Sequence, residues 1–207
     1  MEEKIRNGFD IEDLHSLVGI MIAGGEMELT DRDRIEKIKK WHVKGHKIFT
    51  DQQSIKKRER LTIDAKDISI GSEKMWIWVA VDLNDEMIIA IHVSYVKNRA
   101  TTCSFLRKVA KLCKGTLPKV FVNGETWSPL AFEKLGFRYT PVDFGSGSVA
   151  ETFLTIVNCR ICKFLEKFTD KRTPKNILWW VEGFAGFTNY WTARQETAIS
   201  GEQKYAK

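Results

Sequence analysis

Two hydrophobic periods succeed one another along this chain. Between Ile11 and Ala23 the residues Ile11, Leu14, Leu17, Val18, Met21 and Ile22 recur at steps of three and four, one face of a helix that Gly24-Gly25 closes. A second helix is predicted from Thr30-Asp31, with Ile35, Ile38 and Trp41 on one side and Arg32, Arg34, Lys37, Lys39 and Lys40 around the others. Residues 1–43 therefore read as helical, either a helix-turn-helix or a small subdomain packed on the rest of the chain or on a second copy. Residues 44–60 are poor in apolar positions and rich in Lys and Arg, which predicts a basic linker.

From Leu61 the period shortens. Leu61–Asp64 continued by Ile68–Ile70, then Met75–Val81, then Met87–Val93 predict three antiparallel strands joined by Gly71–Lys74 and Asp82–Asp85. Asp82 reads as a structural turn residue and His92 as strand packing. Thr101–Cys113 is amphipathic, with Phe105, Leu106, Val109 and Leu112 inward. Lys119–Val122 predicts a buried fourth strand, and Pro129–Leu135 a helix stopped by Gly136. Phe137–Val142 is a fifth extended piece, followed by helices over Val149–Phe168 and from Pro174 to near Trp191. This order predicts an α/β, ribonuclease-H-like fold over residues 61–195. It has a five-stranded mixed sheet flanked by helices, a small N-terminal helical segment, and a tail over 196–207.

Charge refines the picture. Residues 1–30 carry a balance of −5, residues 31–60 one of +6, and the remainder +5. A basic band of this kind suits a polyanion, and DNA is the expected partner. Lys39, Lys40, Lys44, Lys56, Lys57 and Arg58 are its candidate contacts, neutralising phosphates rather than reading bases. No run approaches the roughly 20 apolar residues of a membrane span, and the charged start is unlike a secretory signal. A cytoplasmic protein without a membrane partner is expected. Cys159 and Cys162 form a CxxC inside a predicted helix. Zinc would need a second pair, so these read as ordinary thiols, as do Cys103 and Cys113.

The motifs then fall into a known order. Ile63-Asp64 is followed by Val-Phe-Val-Asn123-Gly-Glu-Thr-Trp127, by Ala131-Phe-Glu-Lys-Leu-Gly-Phe-Arg-Tyr139, by Asp143-Phe-Gly145 and by Ala150-Glu151. With Trp179-Trp-Val-Glu-Gly-Phe-Ala-Gly-Phe-Thr-Asn189-Tyr, this order resembles DDE transposases, especially archaeal members of the insertion-sequence-six family. The likeness covers residues 37–193. The first 30 residues match less well, and the zinc-binding segment that some members carry there is absent.

The resemblance implies cut-and-join chemistry on DNA, with three carboxylates holding two magnesium or manganese ions. Asp64 matches the first acid and Glu151 the third, the implied catalytic and metal-binding pair. The second position holds Asn123, whose amide oxygen can coordinate but brings no charge, so impaired catalysis is expected. Glu125 and Asp143 are nearby acids that could substitute. Thr152 and Asn158 stand where the family carries basic residues, leaving Arg160 and Lys163 as the implied phosphate contacts on that helix. Gly145–Ser148 replaces a loop that is normally more charged. Trp127 either stacks on a base or fills the core. Trp179, Trp180, Phe184, Phe187 and Trp191 read as packing or a dimer face, and a homodimer is the expected assembly. In a prokaryotic cell such a protein would associate with the nucleoid when on DNA. The expectation is thus a transposase-family protein acting on DNA with weakened chemistry, or an inactive descendant kept for binding or assembly.

Overall fold

Alternation along the first strand divides the molecule into two layers. Leu61 and Ile63 point to one face of the sheet, while Thr62, Asp64, Lys66 and Ile68 occupy the other. The structure, a computed structural model, describes residues 32–70, 73–123, 128–142, 148–167 and 173–205. Its elements are α1 (Arg32–Gln52), β1 (Arg60–Ile70), β2 (Glu73–Asp82), β3 (Ile88–Ser94), α2 (Arg99–Ala110), β4 (Lys119–Asn123), α3 (Pro129–Leu135), β5 (Tyr139–Val142), α4 (Val149–Lys167) and α5 (Pro174–Tyr205).

The five strands form one sheet in the order β3-β2-β1-β4-β5. β1, β2 and β3 are antiparallel neighbours, whereas β4 and β5 run parallel to β1. With helices on both faces, this is the ribonuclease-H-like fold that the sequence predicts. One face carries Trp78, Ala80, Val120 and Val122 against Phe105 and Leu106 of α2 and Phe132 of α3. The other carries Ile68, Ile77, Val79 and Ile91 against Phe153 and Val157 of α4 and Trp180 and Val181 of α5. Each such side chain removed from water contributes about 1.5–3 kcal/mol, so the two layers supply most of the driving force.

Local chemistry fixes the ends. Asn98 and Thr101 form a reciprocal capping box at the head of α2, each side chain accepting from the other's backbone N–H at 3.0 Å. Pro129 opens α3, and Gly136 closes it at φ 75°, a left-handed turn that suits glycine.

β3 lies at one margin of the sheet, where unpaired backbone groups invite misassembly. Asn189 of α5 covers it. Its Oδ1 accepts from Ile88 N at 2.8 Å and its Nδ2 donates to Ile88 O at 2.9 Å, as a neighbouring strand would. Three residues on, Lys108 donates to Ile91 O at 2.7 Å and to the buried Glu182 at 2.8 Å. Glu182 also meets His46 Nδ1 at 2.5 Å, tying α1 to the same margin. The aromatic residues of α5 divide as packing requires. Trp180 and Phe184 are buried, while Trp191 is exposed with Phe187 stacked beside it.

Two expectations change. Residues 44–52, read as a linker, are the second half of α1: Gly45, Ile48 and Phe49 are buried at helical spacing, enough for one narrow stripe against α5. α5 itself continues to Tyr205, well past Trp191 and through most of the expected tail. The predicted helix over 11–23 and its helix-turn-helix reading lie outside the described residues, as do Glu125, Trp127, Asp143 and most of the Gly145–Ser148 loop. His92 packs between Trp78 and Phe105, and burial, aided by Lys108, holds its pKa below the usual histidine range. Cys159 and Cys162 both fall within α4, where Cys159 is exposed.

Candidate active site

The site starts from strand register. Leu61, Thr62 and Ile63 of β1 pair in parallel with Val120, Phe121 and Val122 of β4, and the next step sets Asp64 beside Asn123. Adjacent strands lie about 5 Å apart, so the two positions are immediate neighbours. Asp64 is only 9% exposed, and its Oδ1 accepts from the Ala65 amide at 2.7 Å.

Glu151 arrives from α4. Ser148 precedes the helix, and its hydroxyl accepts from Glu151 N at 3.1 Å, fixing Glu151 in the first turn. α4 packs on β1. Phe153, Leu154 and Val157 seat it in the core, and at the surface Lys66 Nζ donates to Thr155 Oγ1 at 3.2 Å. Lys66 lies two residues from Asp64, hence on the same face of β1. Thr155 lies one turn from Glu151, hence on the same side of α4. The two acids expected to share a site therefore stand on facing surfaces.

Glu151 Oε2 is buried and has no hydrogen-bond partner among the described residues, and the same is true of Thr62 Oγ1 on the Asp64 face of β1. A buried carboxylate oxygen without a donor is costly unless a cation or a mobile donor meets it. The donor set is suited to one hard divalent cation, held by one or two carboxylates with positions left for water or phosphate. Among the described residues no group of three or more His, Cys, Asp or Glu could hold a metal.

The basic candidates separate. Lys40 is exposed on α1 and Arg160 is exposed on α4; Lys44 is half-buried. Lys39 and Lys163 lie on α1 and α4, and their side chains, like that of Asn123, fall outside the described residues. Lys57 is exposed and 3.9 Å from Glu59. Lys56 is paired with Asp85 and lies 3.7 Å from Asp82. Arg58 does not face solvent at all. It is 3% exposed, bonded to Asp82 at 2.5 Å, to Leu112 O at 3.2 Å and to Ser54 O at 3.0 Å. An arginine expected at a phosphate is instead the interior partner of a buried acid. Thr152 is exposed and Asn158 half-buried on α4.

Sequence reasoning missed Lys66 and Lys97. The offset of two from Asp64 could have revealed Lys66; Lys97, after β3, is brought near only by folding. Burial lowers the pKa of Lys97 and the Asp64 carboxylate pulls it back up, so the two charges sense each other.

No protein-family model matches the chain. An uncharacterized protein of Methanocaldococcus jannaschii is 27% identical over 135 residues, a match covering 65% of this chain and 63% of that protein. The chain thus spans a little under two thirds of that relative's length. Three solved structures overlay in part. A simian T-cell lymphotropic virus intasome in complex with PP2A regulatory subunit B56 gamma has a TM-score of 0.49 at 12% identity, over 62% of this chain and 49% of that one. The HTLV-2 integrase catalytic core domain in complex with magnesium gives 0.45 at 12%, over 62% and 85%. The catalytic core domain of BIV integrase gives 0.38 at 14%, over 58% and 80%. The fold assignment rests on strand order and register rather than on these overlays. No helix among the described residues is long and apolar enough to cross a membrane.

Proposed function

We propose that this chain is a transposase-type protein that acts on or binds DNA, with strand-transfer chemistry weakened by Asn123. The observation that carries the reading is the juxtaposition of Asp64 on β1, Asn123 at the next register step on β4, and Glu151 on the helix that packs on β1. The ordered motifs from Ile63 to Tyr190 support the same descent.

Asp64 and Glu151 would hold one magnesium or manganese ion against a phosphodiester. When bound, the ion supplies charge neutralisation at the phosphoryl oxygens and polarises the attacking water or 3′-hydroxyl. The chain's own residues do the rest. Asp64 is pre-oriented by the Ala65 amide, and Glu151 keeps a carboxylate oxygen uncommitted. Lys66, on the Asp64 face, places a cation where a DNA backbone would approach. Asn123 contributes an oxygen without charge, so a second ion lacks its counter-charge.

The decisive experiment restores the acid. Asn123→Asp should bind manganese more tightly by calorimetry and cleave or join insertion-end DNA faster, by on the order of 100-fold, the worth of about 3 kcal/mol for one close charge. Equal metal affinity and equal cleavage in the parent chain and the variant would refute the account of the missing acid. A second reading, an inactive DNA-binding or assembly descendant, is favoured by Thr152 and Asn158 on α4. It predicts salt-dependent DNA binding in EDTA and no cleavage by either chain.

A further inference from the structure

Three residues beyond Asp64 along β1, Asp67 pairs with Trp76 of β2. At about 3.3 Å per residue this is ~10 Å from the acid site. β4 has ended by then, at Asn123, so the outer ends of β1 and β2 project past it. Trp76 lies on the α2 side of the sheet, half-buried against the edge of that core. Its ring carries two ammonium groups, Lys74 Nζ at 5.4 Å and Lys97 Nζ at 5.1 Å from the centroid. Tyr95, 56% exposed, precedes Lys97 by two residues, and Arg99 is exposed just after it. The acids in this neighbourhood are Asp67, which meets Lys74 at 3.0 Å, and Glu73. Two cations and a half-buried aromatic ring thus gather at the projecting ends of β1 and β2, on the face of the sheet opposite the Asp64 side chain.

We propose that Trp76, flanked by Lys74 and Lys97, is a platform for one unpaired DNA strand at the strand ends past the acid site, on the α2 side of the sheet. A base stacks on the indole, and the two ammonium groups move from the ring to the neighbouring phosphates. The inference rests on the DNA reading above and adds the form of DNA that is preferred. An aromatic face with cations beside it is the arrangement that holds single strands without reading sequence. An acidic peptide would use the cations but leave the ring without a flat partner, and a duplex buries its base faces.

The test is binding in EDTA, where cleavage cannot occur. Fluorescence anisotropy would compare a blunt duplex, the same duplex with a 3′ single-stranded overhang, and a polyglutamate peptide of matched charge. The parent chain should prefer the overhang. Trp76→Ala should weaken overhang binding about 5- to 100-fold and blunt-duplex binding little, and Trp76→Phe should retain most of it. Lys74→Gln with Lys97→Gln leaves the ring in place and should reduce the slope of log affinity against log salt by about 1.4, two phosphates at ~0.7 each. A parent chain that binds no DNA overturns both the platform and the functional reading. A parent chain that binds DNA without preferring the overhang, with slope and affinity unmoved in the double variant, overturns the platform alone. Equal affinity for polyglutamate and the overhang also overturns it.

Discussion

Arg58 illustrates how far a residue's meaning depends on its surroundings. In the sequence it belongs to a basic run and looks like a phosphate contact; in the fold, Asp82 and two carbonyls take its guanidinium inside. Removing one partner of a buried, bonded ion pair leaves the other charge uncompensated. Arg58→Ala should therefore lower unfolding free energy in denaturant by about 3–5 kcal/mol. Lys57→Ala, next in sequence and exposed, should change it by less than about 1 kcal/mol. Asp64 and Glu151 show the converse. Each stood out because it closes an ordered motif, and the structure adds its surroundings: Asp64 accepts from the Ala65 amide, and Glu151 Oε2 has no partner among the described residues.

At the scale of elements, the α1–α5 pair was the part least visible in the sequence. The two helices run in the same direction: His46 meets Glu182 and stacks on Trp179, while Gln52 donates to Gly186 O at 3.0 Å. On α1 the buried stripe is narrow, with Gly45, Ile48 and Phe49 set among exposed or half-buried polar residues, so it looked like a linker. The nearest atoms to a Cβ built on Gly186 are Phe49 N at 3.5 Å, Gln52 Oε1 at 3.6 Å and Ile48 Cγ2 at 3.6 Å, ordinary contact distances. Gly186→Ala should thus fit and raise stability by up to about 1 kcal/mol through helix propensity. Gly186→Leu should prise the helices apart and lower the melting temperature. A thermal melt of the three chains distinguishes these outcomes.

For the molecule as a whole, acid sensitivity has an identifiable source on α1. Burial of His42 on α1 lowers its pKa to about 4 from 6.5. Above pH 6.5 the imidazole is neutral folded or unfolded, and its titration contributes nothing. Below that, the unfolded chain takes up a proton that the folded chain refuses until about pH 4, so stability falls as pH falls through this window. The loss approaches ~3 kcal/mol. Denaturant titrations at pH 7 and pH 4.5 should show it, and His42→Phe should flatten this part of the profile.

The sequence by itself determined the periodic elements, the ribonuclease-H-like order of strands and helices, and the presence of an amide, Asn123, at the end of β4. These follow from local pattern, since alternation, caps and short ordered motifs are properties of neighbouring residues. Only the tertiary structure decided which cations remain at the surface, how Asn189 seals the β3 margin, and that Lys74 and Lys97 meet over Trp76. Burial and charge pairing join residues far apart in the chain, and no spacing rule carries that information.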